Sequence, residues 1–217
     1  LLINTRVLSH DEDRRLRPTT AGLLAFGSSP TTHLPSAYIE AAVYRGTELD
    51  SNHLIHTESI KGPVEQQIDS AVSFVDRFML KPAQKEAGRI DYPQYAMTAI
   101  HEGIVNAVAH RDYAISDSKI RLLLYEDRLE IISPGGLPNS VTLETLPYRQ
   151  FTRNQLLVSF LAKIQSPKTG KVFIEARGEG VRKILSASKT HSGREPEYRL
   201  IGPELVLTIW AKPSPHG

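Results

Sequence analysis

The chain has 217 residues, 40% of them hydrophobic and 23% charged, with a net charge of +2; that is enough for one large domain or two small ones with a true core. It has no cysteine, which excludes disulfides and thiolate metal sites and is the usage expected of a cytoplasmic protein. Apolar runs such as LLVSFLA are too short to cross a bilayer, no basic segment leads into an apolar signal stretch, and the mild positive charge does not by itself argue for nucleic acid.

In chain order, RPTTAGLLAFG (17–27) predicts a short helix, with Pro18 and Thr19 at its start and Gly27 at its stop. SSPTTHLP breaks the pattern, and SAYIEAAVYRG (36–46) predicts a strand from Tyr38 to Tyr44. Residues 47–62 are polar, with room for a short strand at Leu54 to Thr57. Val64, Ile68, Ala71, Val72, Val75 and Phe78 keep helical spacing behind Pro63 and predict an amphipathic helix over 63–80. KPAQKEAGRIDYP reads as a loop, extended near Arg89 to Asp91, and a second helix runs from beyond Pro93 to about His110. KIRLLLY (119–125) and RLEIIS (128–133), separated only by Glu126 and Asp127, predict a tight antiparallel hairpin, followed by the rigid turn PGGLP (134–138). A helix is expected over 152–164, then a flexible SPKTGK break, then a glycine pair before a helix starting at Val181. PEYRLI and ELVLTIW close the chain as a second hairpin about Gly202 and Pro203. The expected class is α+β: an antiparallel sheet with helices on one face over residues 91–217, preceded by a smaller mixed α/β subdomain over 1–90.

HEGIVNAVAHRDY (101–113) carries the first chemical signal. At 100° per residue, Met97, Ile100, Ile104, Val105 and Val108 share one face of the helix. Glu102, Asn106 and His110 form a row on the opposite face. Such a row is either a solvated face or the wall of a cavity. Asn is a mediocre residue inside a helix, and a mid-helix Gly103 costs up to about 1 kcal/mol against Ala. Both facts are easier to understand if something packs closely there.

An E-x-x-x-N helix, a hairpin, a glycine loop ending in GLP and a G-x-G opening a helix, in that order, resemble the GHKL ATPase fold. This is the Bergerat nucleotide site of gyrase-type topoisomerases and histidine kinases. EGIVNAVAHRDY, DRLEIISPGGLP, FTRNQLL and RGEGVRKI, with LRPTTAGLLAFG and LPSAYIEAAVYRG upstream, look like the C-terminal region of bacterial RecG-related proteins and AlbA-type, Schlafen-like transcriptional regulators. The resemblance extends from about Arg17 to about Trp210.

The resemblance implies roles residue by residue. Glu102 matches the general base that activates water. Asn106 matches the amide that holds Mg²⁺ beside ATP, an oxygen ligand for a hard cation. His110 lies on the same row and is expected at the nucleotide. Gly135 and Gly136 match the first glycine loop, and Arg177, Gly178 and Gly180 match the second, where backbone N–H groups at a helix start can cradle phosphate. The family carries an Asp before its first glycines that reads the adenine amine. Here Ile132 or Ser133 stands there, and the nearest acid is Glu130, out of register. The implied function is a GHKL-type ATP-binding module, with slow ATP hydrolysis within its chemistry, in a larger transcriptional regulator or RecG-related protein. The alternative is a non-catalytic dimerisation or interaction module that keeps the fold without the nucleotide. A homo-oligomer is expected under either reading. DNA contact belongs in this family to an N-terminal domain outside this chain, and no membrane partner is expected. No Walker A motif is present, so the helicase name is not read as an activity.

Overall fold

The computed structural model describes residues 2–80, 83–84, 90–91, 93–138, 140–175 and 178–213. A hairpin of β1 (Leu8–His10) and β2 (Leu16–Pro18) precedes α1 (Thr20–Phe26). Thr19 caps α1 by accepting a hydrogen bond from the Gly22 amide at 3.0 Å, satisfying one of the free N–H groups of the first turn. β3 (Ile39–Tyr44) and β4 (Leu54–Ile60) form an antiparallel pair. α2 (Val64–Phe78) follows, then a two-residue pairing of β5 (Ala83–Gln84) with β6 (Ile90–Asp91), then α3 (Met97–His110). The hairpin of β7 (Ile120–Leu124) and β8 (Arg128–Pro134) leads to α4 (Gln155–Leu161) and α5 (Gly180–Ser192). β9 (Glu197–Ile201) and β10 (Glu204–Trp210) complete the series.

Six strands form one sheet in the order β4-β3-β7-β8-β10-β9. The α+β class holds, with one refinement. The sheet is mostly antiparallel, but β3 and β7 run parallel, Ile39 opposite Ile120 and Val43 opposite Leu124. A parallel pairing needs a long crossover, and the stretch carrying α2 and α3 supplies it. β3 and β4 thus extend the sheet built by the later strands. The expected division at residue 90 separates two stretches that share this sheet and one core: Leu24, Ile39 and Phe74 lie in the same apolar cluster as Ile104, Leu129 and Leu207.

Helices cover one face of the sheet. On the other face, Ala42, Leu123, Tyr125, Ile132 and Val206 form a second, smaller buried cluster with Tyr44 packed against it. Arg128 lies 4.1 Å above the Tyr125 ring and bonds Glu130 at 2.8 Å. Its stem and ring contact exclude water while its charge stays paired.

Beyond the β1–β2 hairpin, which the sequence did not predict, three elements differ from expectation. β4 runs on to Ile60, since pairing with β3 overrides its polar composition. α4 is shorter than 152–164 because Arg153 and Asn154 are held in tertiary contacts before the helix begins. The SPKTGK segment is a fixed turn: Ser166 donates to both carboxylate oxygens of buried Asp69, at 2.9 and 3.0 Å. The extension expected at Arg89 falls outside the described residues. Among those described, no helix is long and apolar enough to cross a membrane.

Candidate functional site

α3 divides as its periodicity predicts. Ile100, Ile104, Val105 and Val108 are almost fully buried in the core. Glu102, Asn106 and His110 line the wall of a cavity of about 250 Å³. Gly103 explains how the helix lies so close to the sheet. A Cβ there would stand 2.9 Å from Ile131 Cδ1 and 3.0 Å from Leu207 Cδ2.

The cavity brings together Glu102, Asn106, His110, Gly135, Gly136, Gly178 and Gly180. Of the residues singled out in the sequence, Arg177 lies outside the described ones. Gly180, at the start of α5, faces α3 directly: a Cβ on it would lie 3.1 Å from Glu102 Oε2 and 3.2 Å from Asn106 Nδ2. Gly178 has φ +64° and lies against the Gln150 side chain. One end of the cavity is therefore built from Glu102, Asn106 and the first turn of α5. His110, two turns further along α3, marks the other end, about 12 Å away.

His110 packs 5.1 Å from the Phe151 ring. Burial, with the Arg153 guanidinium adding to it, pulls its pKa down to about 4, so the imidazole is neutral near pH 7. Its Nδ1 is buried with no hydrogen-bond partner among the described residues.

The rest of HRDY is architectural. Arg111 is 1% exposed and donates through Nη2 to Ser36 Oγ, Ile115 O and Ser118 O, at 2.8, 3.1 and 2.7 Å. Tyr113 donates to the Val108 carbonyl at 3.0 Å, satisfying an open group near the end of α3. Asp112 anchors the first glycine loop: its amide donates to Pro134 O at 2.8 Å, and its carboxylate pairs with Arg153 at 2.7 Å. Arg153 also donates to the Gly136 carbonyl at 2.5 Å. Gly135 sits in this clamp with φ +112°, and a Cβ there would meet Asp112 Cβ at 2.8 Å. Asn154 donates to the Ala109 and Arg111 carbonyls at 3.0 and 2.8 Å.

A turn over residues 142–151 lies across the cavity and contributes Leu146, Arg149, Gln150 and Phe151. Arg182 of α5 ties it down, donating to Pro147 O at 3.0 Å. Sequence reasoning missed this segment, which has no periodicity to betray it. It also missed Lys183 and Tyr198. Lys183 follows Gly180 by three residues, so helical spacing alone places it one turn above the glycine.

Ser133 is the residue that faces the cavity at the sheet's end. Its hydroxyl donates to the Ala107 carbonyl at 3.0 Å. Ile132 and Glu130 fall on the opposite face of the sheet, where Glu130 pairs with Arg128 and, at 3.5 Å, with Arg199. No carboxylate from β8 therefore reaches the cavity.

Comparison with known proteins adds a family likeness and a fold. Residues 117–209 match the family model described as "Putative ATP-dependent DNA helicase recG C-terminal". No curated protein matches. Among solved structures, the DIP2311 protein of Corynebacterium diphtheriae is similar over 97% of this chain, with a TM-score of 0.74 and 20% identity. At that identity the likeness speaks for the fold. The chain spans 40% of that protein's length. Residues 117–209 are therefore similar to a RecG C-terminal, ATPase-like family, in keeping with the resemblance drawn from the motifs within that span.

Proposed function

We propose that this chain is a nucleotide-binding module that takes ATP with Mg²⁺ in the cavity between α3 and α5, and that it serves as the regulatory part of a larger, homo-oligomeric, DNA-binding regulator. One observation carries the reading: three motifs far apart in sequence, at 102–110, 135–136 and 178–180, line a single cavity. The polar end, with the N-terminus of α5 and Lys183, suits phosphate; the end with Phe151, Leu146 and neutral His110 suits a flat ring.

The residues fit a hard cation. Asn106 and Glu102 present oxygens one helical turn apart beside the α5 N-terminus. Mg²⁺ takes few protein ligands and completes its shell with water and phosphate oxygens. Asn106 would hold it, and the ion, when bound, would neutralise phosphate charge. Glu102 is placed to accept a proton from water, so slow hydrolysis lies within the chemistry of the site.

A second reading follows from Ser133. The cavity has no β8 carboxylate to read an amine, and a retained fold used for assembly would need none. Thermal melting with Mg-ATP, Mg-ADP, Mg-GTP and no ligand separates the two. Ligand at a hundred times its dissociation constant stabilises a fold by about 2.7 kcal/mol. A shift with adenine nucleotides that Asn106→Ala abolishes supports the first reading. Melting curves that stay superimposed up to millimolar nucleotide leave the assembly module.

A further inference from the structure

The nucleotide reading places Lys183 at the phosphate end of the cavity, and its surroundings give it a second task. Lys183 Nζ donates to Glu175 Oε2 at 2.6 Å and stands 3.6 Å from Glu102 Oε1. The hydrogen bond to Glu175, with the nearby Glu102 charge, holds the ammonium firmly protonated. Glu175 is 63% exposed, so its pairing with lysine is of the solvated kind that contributes little and yields readily to a stronger anion. Glu102 is more enclosed, its side chain 15% exposed, and Gly180 of α5 covers it.

Charge balance sharpens the point. The described lining carries three carboxylates, Glu102, Glu175 and Glu179, against two cations, Arg149 and Lys183. His110 adds no charge near pH 7. A multiply charged anion entering this cavity needs cations, and Lys183 is the one beside the α5 N-terminus, where a phosphate would lie.

We propose that Lys183 is a phosphate-operated latch on Glu102. In the empty cavity its ammonium is shared between Glu175 and Glu102. A terminal phosphate in the cavity takes the ammonium and leaves the Glu102 carboxylate open toward the ligand. Lys183 is thus a positioning residue for Glu102 as well as a phosphate contact. The proposal rests on the nucleotide reading of the same cavity.

The test is titration calorimetry of the full chain with Mg-ATP and with adenosine, on wild type, Lys183→Met, Lys183→Arg and Glu175→Gln. A charge-assisted contact to phosphate is worth about tenfold or more in affinity. Lys183→Met should therefore lose the wild-type preference for ATP over adenosine by about that factor, while Lys183→Arg keeps most of it. Glu175→Gln, which removes a competitor for the ammonium, should tighten Mg-ATP and leave adenosine as it was. Equal losses for ATP and adenosine in Lys183→Met, or no loss for either, overturn the latch. If wild type binds neither, the nucleotide reading fails, and inorganic pyrophosphate becomes the probe. Thermal stabilisation by pyrophosphate that Lys183→Met removes then upholds the latch alone; no stabilisation overturns it too.

Discussion

At the scale of single residues, the site depends on side chains that are absent as much as on those present. Gly135 holds φ +112° with Asp112 packed where its Cβ would be. Gly135→Ala should destabilise the fold by about 1–3 kcal/mol through backbone strain and displacement of Asp112, read as a drop in urea midpoint. Gly103→Ala should behave differently. Its new methyl meets the far ends of the Ile131 and Leu207 side chains, which can give way, and the helix gains from losing a glycine. The net change should stay within about 1 kcal/mol; a loss of several would mean the α3–sheet spacing cannot relax. His110 makes a pH prediction. Its folded pKa of about 4 lies below its ordinary 6.5, so the unfolded chain binds the extra proton between those values. Stability should therefore be fully present above about pH 6.5 and fall toward pH 4, by up to about 3 kcal/mol for this group. His101, lowered in the same direction by burial, adds to the slope. The melting temperature of His110→Gln between pH 6.5 and 5 should decline less than that of wild type; parallel declines would remove His110 from the account.

At the scale of elements, what was legible in the sequence follows from periodicity. The row Glu102, Asn106 and His110 could be read because a helix separates its faces every turn, and the β7–β8 hairpin because two residues separate two apolar runs. Arg111 could not be read, since its partner Ser36 lies 75 residues away. Nor could the turn over 142–151, whose residues reach the cavity through irregular backbone. The β1–β2 hairpin was missed because both strands are short and mainly exposed. The Ser166 turn shows the same limit: SPKTGK looks mobile from composition alone, yet α2 pins it through buried Asp69. Ser166→Ala strips that carboxylate of its hydroxyl donor. Bonds to charged groups contribute about 1.5–3 kcal/mol, so a loss of that order is expected in urea unfolding. An unchanged midpoint would mean that water replaces the hydroxyl and the turn is held by other contacts.

At the scale of the whole molecule, the parallel pairing of β3 with β7 decides what can fold alone. The sequence motifs that line the cavity all lie beyond residue 91, and the family match begins at 117. The packing does not respect that boundary. α3 is buried against α2 on one side and the sheet on the other, with Ile68, Phe74 and Val75 of α2 in its core cluster. A fragment of residues 91–213 would lose those contacts. It would also leave β7 with an unpaired edge where β3 had been, the kind of exposed edge that invites aggregation. Side chains such as Ile100 and Ile104, now almost fully buried, would face solvent on removal of their partners, at a cost of about 1.5–3 kcal/mol each. With a whole domain stable by only about 5–15 kcal/mol, a few such losses consume the margin. The fragment is therefore expected to show no cooperative thermal transition in circular dichroism and to elute as aggregate, whereas residues 2–213 melt in one step. A cooperative melt of the fragment alone would show that the site's half carries a sufficient core, and that β3, β4 and α2 are additions to it rather than part of its foundation.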